Sequence, residues 1–227
     1  MDSSLQALSD ATLFAGLPDV DRDAMLAVAA VRSHDPGQML FTQGDAADTF
    51  YLVSDGSVKL VQATPDGREM IVRFIRPKEV IAAVALIPGG RYPVTAIAAE
   101  PCVTATWSSD TLRQWVARFP KLHANIMAAM AMHMQDALSQ GRELATAKVP
   151  QRLAAMLLRL AERHGEVHED GLLITQPLSR EQIAEMTGTT LFTVSRTLSE
   201  WQDAGLVSTR KRHIVIHDRD ALARLAG

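Results

Sequence analysis

The sequence predicts an α+β protein with a β-rich N-terminal domain, a long central helix, and a C-terminal domain of helices with a short hairpin. Short apolar runs in residues 1–108 each end at glycine, aspartate or proline, which is the pattern of a β barrel or sandwich. One long helical pattern follows Pro120, because residues 121–146 contain no proline and only one glycine, Gly141. Helical and strand patterns then alternate in residues 147–227, which form the third predicted segment.

The bulk composition is that of a globular chain. Its 227 residues suffice for two domains, and 47% are hydrophobic against 22% charged. No apolar run approaches the ~20 residues of a membrane span, and the N-terminus has no signal-peptide pattern. The single cysteine, Cys102, excludes an internal disulfide framework or a cysteine-ligated cluster. We therefore expect a cytoplasmic protein with no membrane partner.

Charge is distributed unevenly along the chain. The net charge is -3, yet residues 148–227 hold 11 basic against 10 acidic side chains. Arg210, Lys211 and Arg212 form a basic cluster there, which can attract phosphates even in an acidic chain.

The N-terminal segment is predicted to begin with a helix over residues 21–31. Strands are predicted at residues 39–41, 49–53, 58–61, 70–75, 94–98 and 102–107, separated by turns at residues 36–37, 43–45 and 54–56 and at Pro65, Asp66 and Gly67. This spacing predicts a β-roll that would form a sensor domain.

The central segment is predicted to hold two helices. Ser109 and Asp110 are expected to cap a helix over residues 111–118, and Pro120 to start the long one. Apolar positions on the long helix recur at alternating steps of four and three, as in a coiled coil. The predicted homodimer seam consists of Ile126, Met130, His133, Ala137, Gln140 and Leu144. The alternative is a long helix that packs only on its own β domain.

The third segment is predicted to begin with a helix over residues 149–164, a loop over 165–171 and a strand over 172–174. Within residues 179–205, Ser179 caps a first helix whose inner face holds Ile183 and Met186, and Gly188 supplies a tight turn. A second helix over residues 190–204 is expected to bury Val194, Leu198 and Trp201. Two strands around the basic cluster would form a wing.

A helix pair with this spacing places its second helix in the major groove of DNA. Arg196 has the fork geometry that binds guanine O6 and N7, and Phe192 can contact thymine methyl groups. The basic wing would lie over the backbone, and Arg180 suits phosphate contact. The predicted DNA-contacting residues are Ser179, Arg180, Thr190, Phe192, Thr193, Ser195, Arg196, Ser199, Arg210, Lys211 and Arg212. The alternative is a helical hairpin with no nucleic-acid role.

These motifs, behind a β-roll and a long helix, resemble the CRP/FNR family of transcription regulators over essentially the whole chain. Residues 143–154 and 184–196 resemble most the NnrR/DNR type, which responds to nitrogen oxides. The resemblance implies a cyclic-nucleotide-binding-like β-roll (residues 1–108), a helical linker and dimerisation helix (109–146), and a winged helix-turn-helix (147–227). It also implies a palindromic double-stranded DNA site, RNA polymerase as a partner, and no enzymatic activity.

The chain departs from the nucleotide-binding members of that family. Ala82 and Ala83 stand where those members carry Gly-Glu, and Tyr92 and Pro93 stand near the Arg-Ser pair that holds the cyclic phosphate. A cyclic phosphate needs a cation and several donors, so we expect an effector other than cAMP. The predicted effector pocket consists of Ala82, Ala83, Arg91, Tyr92, Met130, His133, Met134 and Ala137.

The resemblance also raises haem as a cofactor for nitric-oxide sensing. His123 and His133 are the candidate ligands, and Cys102, Met130 and Met134 are weaker ones. For His133 we favour the alternative of a histidine hydrogen-bonded in the dimer interface. A cAMP-dependent activator, a haem-based gas sensor and a regulator without an effector remain as alternatives.

Overall fold

The computed structural model describes residues 3–63 and 69–227, and it divides into two compact units, residues 1–137 and 138–227. The turn predicted at Pro65, Asp66 and Gly67 lies outside the described residues. The helices are α1 (Ser3–Gln6), α2 (Asp19–Ala27), α3 (Ser109–Arg118), α4 (Pro120–Thr146), α5 (Val149–His164), α6 (Arg180–Thr187), α7 (Leu191–Asp203) and α8 (Arg219–Ala226). The strands are β1 (Ala30–His34), β2 (Met39–Phe41), β3 (Thr49–Asp55), β4 (Val58–Ala63), β5 (Glu69–Ile75), β6 (Val80–Ile81), β7 (Thr95–Ala98), β8 (Cys102–Ser108), β9 (Gly165–His168), β10 (Gly171–Ile174), β11 (Val207–Arg210) and β12 (His213–Ile216).

The first unit is a β-roll of two antiparallel four-stranded sheets. One sheet has the order β1-β8-β3-β6 and the other β2-β7-β4-β5. A single apolar core includes Phe50 and Leu52 of β3 together with Leu122 and Ile126 from the start of α4. Because a fully buried leucine or isoleucine contributes about 1.5–3 kcal/mol, the first turns of α4 are fixed on the roll.

The second unit surrounds a four-stranded antiparallel sheet of order β11-β12-β10-β9. Helix α5 buries Leu153, Leu157 and Leu160 on one face, and α6 and α7 follow as a helical pair. Strands β11 and β12 form the wing hairpin. The predicted α+β fold of β-roll, long helix and winged helix-turn-helix is thus confirmed.

Several predicted boundaries are wrong. The helix expected over residues 21–31 ends at Ala27, because the following residues form β1 and pair with β8 from Ala30↔Thr106 to His34↔Cys102. Helix α3 begins at Ser109 and is capped by Ser108, whose Oγ accepts a hydrogen bond of 3.1 Å from Thr111 N. The loop expected over residues 165–171 contains β9, which pairs with β10.

No helix among the described residues combines the length and apolar content that crossing a bilayer requires.

Candidate nucleic-acid interface and effector cavity

Helix α6 is fixed at both ends by local interactions. Ser179 Oγ accepts a hydrogen bond from Gln182 N at 3.2 Å, and Gln182 Oε1 accepts one from Ser179 N at 2.8 Å. This reciprocal pair is a capping box. At the other end Gly188 adopts φ 60°, a left-handed conformation that glycine occupies without steric cost. The turn sends the chain directly into α7.

Helix α7 has one buried and one solvent-facing side. Val194, Leu198 and Trp201 are buried as predicted, and Thr197 is buried with them. Phe192, Arg196 and Ser199 are exposed on the other side. Thr193 and Ser195 are half-buried beside them, and Thr190 caps the helix by accepting a hydrogen bond of 3.2 Å from Thr193 N.

Arg196 is held only loosely. Its Nε lies 3.8 Å from Glu200 Oε1, and both side chains are exposed. An exposed pair of this kind contributes little, so the guanidinium fork is available to an external acceptor.

The wing carries the three predicted basic side chains at its tip. Lys211 and Arg212 form the two-residue turn with φ 47° and 71°. Positive φ at both central residues is the geometry of a type I′ hairpin turn, which usually employs asparagine and glycine. Arg210 Nη2 lies 3.7 Å from Asp170 Oδ2 across the exposed surface.

Two of the predicted contact residues also hold the wing against α6. Arg212 Nη2 donates to Gln182 Oε1 at 3.1 Å, and the Arg212 carbonyl accepts from Leu178 N at 2.8 Å. Arg180 Nη2 donates to Thr209 Oγ1 at 3.2 Å, and its Nη1 is buried with no hydrogen-bond partner among the described residues. Burial lowers the pKa of the Arg180 guanidinium. These bonds fix the wing relative to the helix pair.

Arg152 and Leu191 also belong to this region, although neither was predicted from the sequence. From α5, Arg152 donates to the carbonyl oxygens of Thr187 and Ala147, each at 2.9 Å. No sequence pattern indicated this, because the acceptors are backbone atoms. Leu191 is exposed beside Phe192. The sequence did contain a signal for Leu191. Together with Phe192 it forms a pair of adjacent apolar residues at the start of a helix whose opposite side is buried.

The first unit contains an apolar cavity of about 200 Å³. Of the predicted pocket residues, Ala82, Ala83, Tyr92, Met130 and His133 line it. The other lining residues are Phe41, Leu60, Val80, Ile81, Val84, Pro93 and Val94. The described residues that line the cavity include no lysine or arginine.

Three predicted pocket residues lie elsewhere. Arg91 is exposed, and its Nη1 donates to the Gly44 carbonyl at 2.7 Å instead of pointing at a ligand. Met134 and Ala137 lie on the exposed side of α4. Neither residue lines the cavity: Met134 lies one helical turn beyond Met130, and Ala137 lies one turn beyond His133.

The backbone conformation at Ala82 shows how alanine takes the place of the glycine in the Gly-Glu pair of nucleotide-binding members. Ala82 has φ 66°, the left-handed region that glycine favours. The chain therefore keeps the bend that glycine would make while presenting a methyl group to the cavity. Opposite, Tyr92 stacks on Phe41 with ring centroids 3.9 Å apart, and Tyr92 Oη donates to the Thr49 carbonyl at 3.0 Å.

The seam predicted on α4 is partly wrong. Ile126 is fully buried in the core of its own β-roll, while Met130 and His133 line the cavity. Large apolar side chains are exposed outside the predicted seam at Met127, Met132, Met134 and Leu138, and within it at Leu144.

The cavity does not fit haem. A cavity of about 150 Å³ holds one benzene ring, and this one is only slightly larger, whereas haem is a macrocycle several times that size. Of the candidate ligands, His133 and Met130 line this small cavity. His123 is exposed and Cys102 is buried, and burial raises the pKa of the Cys102 thiol to about 11.

A capped helix pair with an exposed second helix and a basic wing defines a DNA-binding transcription regulator. Family comparisons agree: a Crp-like helix-turn-helix domain matches residues 151–225, and a cyclic nucleotide-binding domain matches residues 31–119. The chain belongs to the CRP/FNR family of transcription regulators, and it is not an enzyme.

Individual relatives support this assignment. The nitrogen fixation regulation protein FixK of Rhizobium meliloti is 32% identical over 196 residues, which cover 86% of each chain. A CRP-like cAMP-activated global transcriptional regulator of Mycobacterium tuberculosis is 27% identical over 190 residues, 84% of this chain and 85% of that one. The structure of FixK2 from Bradyrhizobium japonicum shares the fold, with a TM-score of 0.79 and 24% identity over 88% of this chain and 98% of that chain.

Proposed function

We propose that the protein binds a palindromic promoter site as a homodimer and inserts α7 of each subunit into successive major grooves. The exposed face of α7 around Arg196 carries this proposal. Arg196 donates to guanine O6 and N7, Thr193 and Ser195 contact neighbouring groups, and the wing lies over phosphates. Two such helices must lie ~34 Å apart to reach the two half-sites.

The exposed stripe on α4 supports the homodimer. Met127, Ala131, Met134 and Leu138 follow each other at steps of four, three and four, and all four are exposed. Met134 is 63% exposed and Leu138 68%. This spacing forms a coiled-coil seam, and a symmetric pair buries the same stripe on both subunits.

We further propose that the cavity of the β-roll binds an effector other than a cyclic nucleotide. The M. tuberculosis relative is described as cAMP-activated, but the cavity here is largely apolar and its described lining has no lysine or arginine to hold a cyclic phosphate. Calorimetry with cAMP tests this directly. Micromolar binding would overturn the proposal, and binding in the millimolar range or none is expected.

A nitrogen-oxide response and contact with RNA polymerase follow from the family resemblance and stay predictions, as does the cytoplasmic location expected from the single cysteine. Tight operator binding by the effector-free protein would instead favour a regulator controlled by its abundance alone.

Selection from random duplexes tests the DNA-binding proposal. The purified chain should enrich a palindrome in which each half-site contains a guanine that Arg196 contacts. Arg196→Ala should weaken binding to that palindrome by about 5- to 150-fold, the range for one bidentate base contact. Arg224→Ala, at an exposed arginine of α8, is the matched control and should change little. Equal affinity of wild type and Arg196→Ala would contradict the proposal.

A further inference from the structure

We infer that the first turn of α7 recognises the 5-methyl group of thymine through Leu191 and Phe192, next to the guanine that Arg196 contacts. The inference rests on the proposed function, because it assumes that α7 enters the major groove. It goes further by naming the base feature that this turn recognises, and by assigning Leu191 a role.

The polar side chains of this turn already have partners. Thr190 Oγ1 accepts a hydrogen bond of 3.2 Å from Thr193 N, and the two threonine hydroxyl oxygens lie 3.0 Å apart. One hydroxyl therefore caps the helix and the other is bonded to it. The most exposed surface of the first turn is accordingly apolar and is formed by Leu191 and Phe192.

That apolar surface is large and cannot turn inward. Phe192 is 76% exposed and Leu191 is 44% exposed. The opposite side of α7 is occupied by Val194, Leu198 and Trp201, all buried. Rotating the helix to bury Phe192 would expose this core, so Leu191 and Phe192 remain available to a partner.

The position of Phe192 relative to Arg196 indicates which partner. Residues four apart lie on the same helix face and are displaced by about 6 Å along the axis. Base pairs are spaced by about 3.4 Å, so Phe192 meets the groove one or two base steps from the guanine bound by Arg196.

The chemistry of the major groove then selects the occupant. Its base edges carry hydrogen-bond donors and acceptors, and the thymine methyl is the apolar group among them. The phenyl ring of Phe192 forms no hydrogen bond with cytosine N4 or adenine N6. Contact with the ring does, however, shield a thymine methyl group from water. A thymine beside the contacted guanine in each half-site therefore offers Leu191 and Phe192 an apolar contact.

Replacement of thymine by uracil in the selected palindrome tests the inference, because it deletes the methyl group and keeps every hydrogen-bonding atom. Removing one buried methyl group should weaken binding about fourfold, and removing it from both half-sites about 15-fold. The loss should occur only one or two steps from the guanine. At the same position, a 5-methylcytosine pair should bind better than a cytosine pair.

The variant Phe192→Ala provides the matching protein change. It should show a weaker thymine preference than wild type, and the double variant Leu191→Ala/Phe192→Ala should bind the thymine and uracil palindromes equally, because the methyl group has then lost both contacts. Val167→Ala removes an apolar side chain that is 95% exposed on β9, and it should keep the full thymine preference. Since both side chains lie on the surface, neither change should alter the unfolding midpoint.

The outcomes separate this inference from the proposed function. Substitution of the guanine by 7-deazaguanine removes the N7 acceptor and tests the Arg196 contact by itself. If 7-deazaguanine weakens binding but uracil has no effect at any position, the methyl inference is overturned and the proposed function stands. If neither change matters, both fail. If the full uracil effect persists in the double variant Leu191→Ala/Phe192→Ala, other residues contact the methyl group and the inference is wrong.

Discussion

Arg152 Nε donates a hydrogen bond of 2.9 Å to the carbonyl oxygen of Thr187, the last residue of α6. Nη2 of the same guanidinium reaches the Gly188 carbonyl at 3.3 Å, and Nη1 reaches that of Ala147 at 2.9 Å. Carbonyls at a helix C-terminus lack intrahelical partners and favour a cation. The planar guanidinium of Arg152 therefore links the turn of the helix-turn-helix to Ala147, the residue that follows α4.

The first prediction concerns this clamp. Arg152→Ala should lower the free energy of unfolding by about 1–3 kcal/mol and weaken operator binding, because the freed carbonyls no longer fix the angle between α6 and α7. Arg152→Lys should restore little, since an ammonium group lacks the planar fork. Denaturant unfolding and fluorescence anisotropy measure the two effects. Arg219→Ala, which breaks the exposed pair with Glu162, is the control and should cost less than about 1 kcal/mol.

The second prediction separates charge from backbone strain in the wing. Lys211 has φ 47°, which disfavours a side chain with a Cβ. Lys211→Gly should therefore stabilise the fold by up to about 1 kcal/mol while lowering the slope of log K against log salt by about 1. Lys211→Ala should lower the slope equally without the gain in stability. An unchanged salt slope in both variants would show that Lys211 does not contact a phosphate.

The third prediction decides the register of the α4 seam. Met134→Glu and Leu138→Glu should each convert the dimer to a monomer, because they place a charge in the proposed apolar contact. Gln140→Glu should leave the dimer intact, since Gln140 belongs to the stripe first expected from the sequence. Sedimentation velocity measures the outcome. If Gln140→Glu gave a monomer while Leu138→Glu stayed a dimer, the seam would be the stripe that contains Gln140, as first expected from the sequence.

The fourth prediction is a pH dependence of stability from His34. The side chain is buried, its Nε2 lies 3.0 Å from Thr104 Oγ1, and its Nδ1 has no hydrogen-bond partner within the described parts of the chain. Burial, and secondly the charge of Arg32, lower the pKa of His34 below its usual value. The unfolded chain, with a histidine pKa near about 6.5, then takes up the proton first as the pH falls.

The stability associated with neutral His34 is therefore complete above about pH 6.5 and is lost as the pH falls from there toward the lower folded-state pKa. Urea unfolding of wild type and His34→Gln between pH 5 and pH 8 should give a difference that changes in this window. A pH-independent difference would show that His34 titrates alike in both states.

The elements that the sequence predicted best are those stabilised by neighbours a few residues away. The cap at Ser179 and the turn at Gly188 depend on contacts within one helical turn, and the buried face of Val194, Leu198 and Trp201 follows from their helical spacing. Such contacts are encoded by local residue type and spacing. For the same reason the positions of Phe192 and Arg196 on the exposed face followed from the sequence.

Other features depended on segments far apart in the chain. Strand β1 exists because residues 30–34 pair with β8, about 70 positions away in the sequence, so local pattern extended the preceding helix too far. Arg91 bonds to Gly44 rather than facing the cavity. Arg180 and Arg212 hold the wing, because folding brings Thr209 and Gln182 to them.

Helix α4 shows most clearly where the sequence alone is insufficient. Its apolar residues form two adjacent stripes, one through Ile126 and one through Met127, and both have coiled-coil spacing. The sequence by itself determined that the apolar surface of α4 is wider than a single coiled-coil seam requires. Only the tertiary structure decided that the start of the Ile126 stripe belongs to the β-roll, because the sheets bury Ile126 and partly bury Met130, while Ala137 and Leu144 further along that stripe stay exposed.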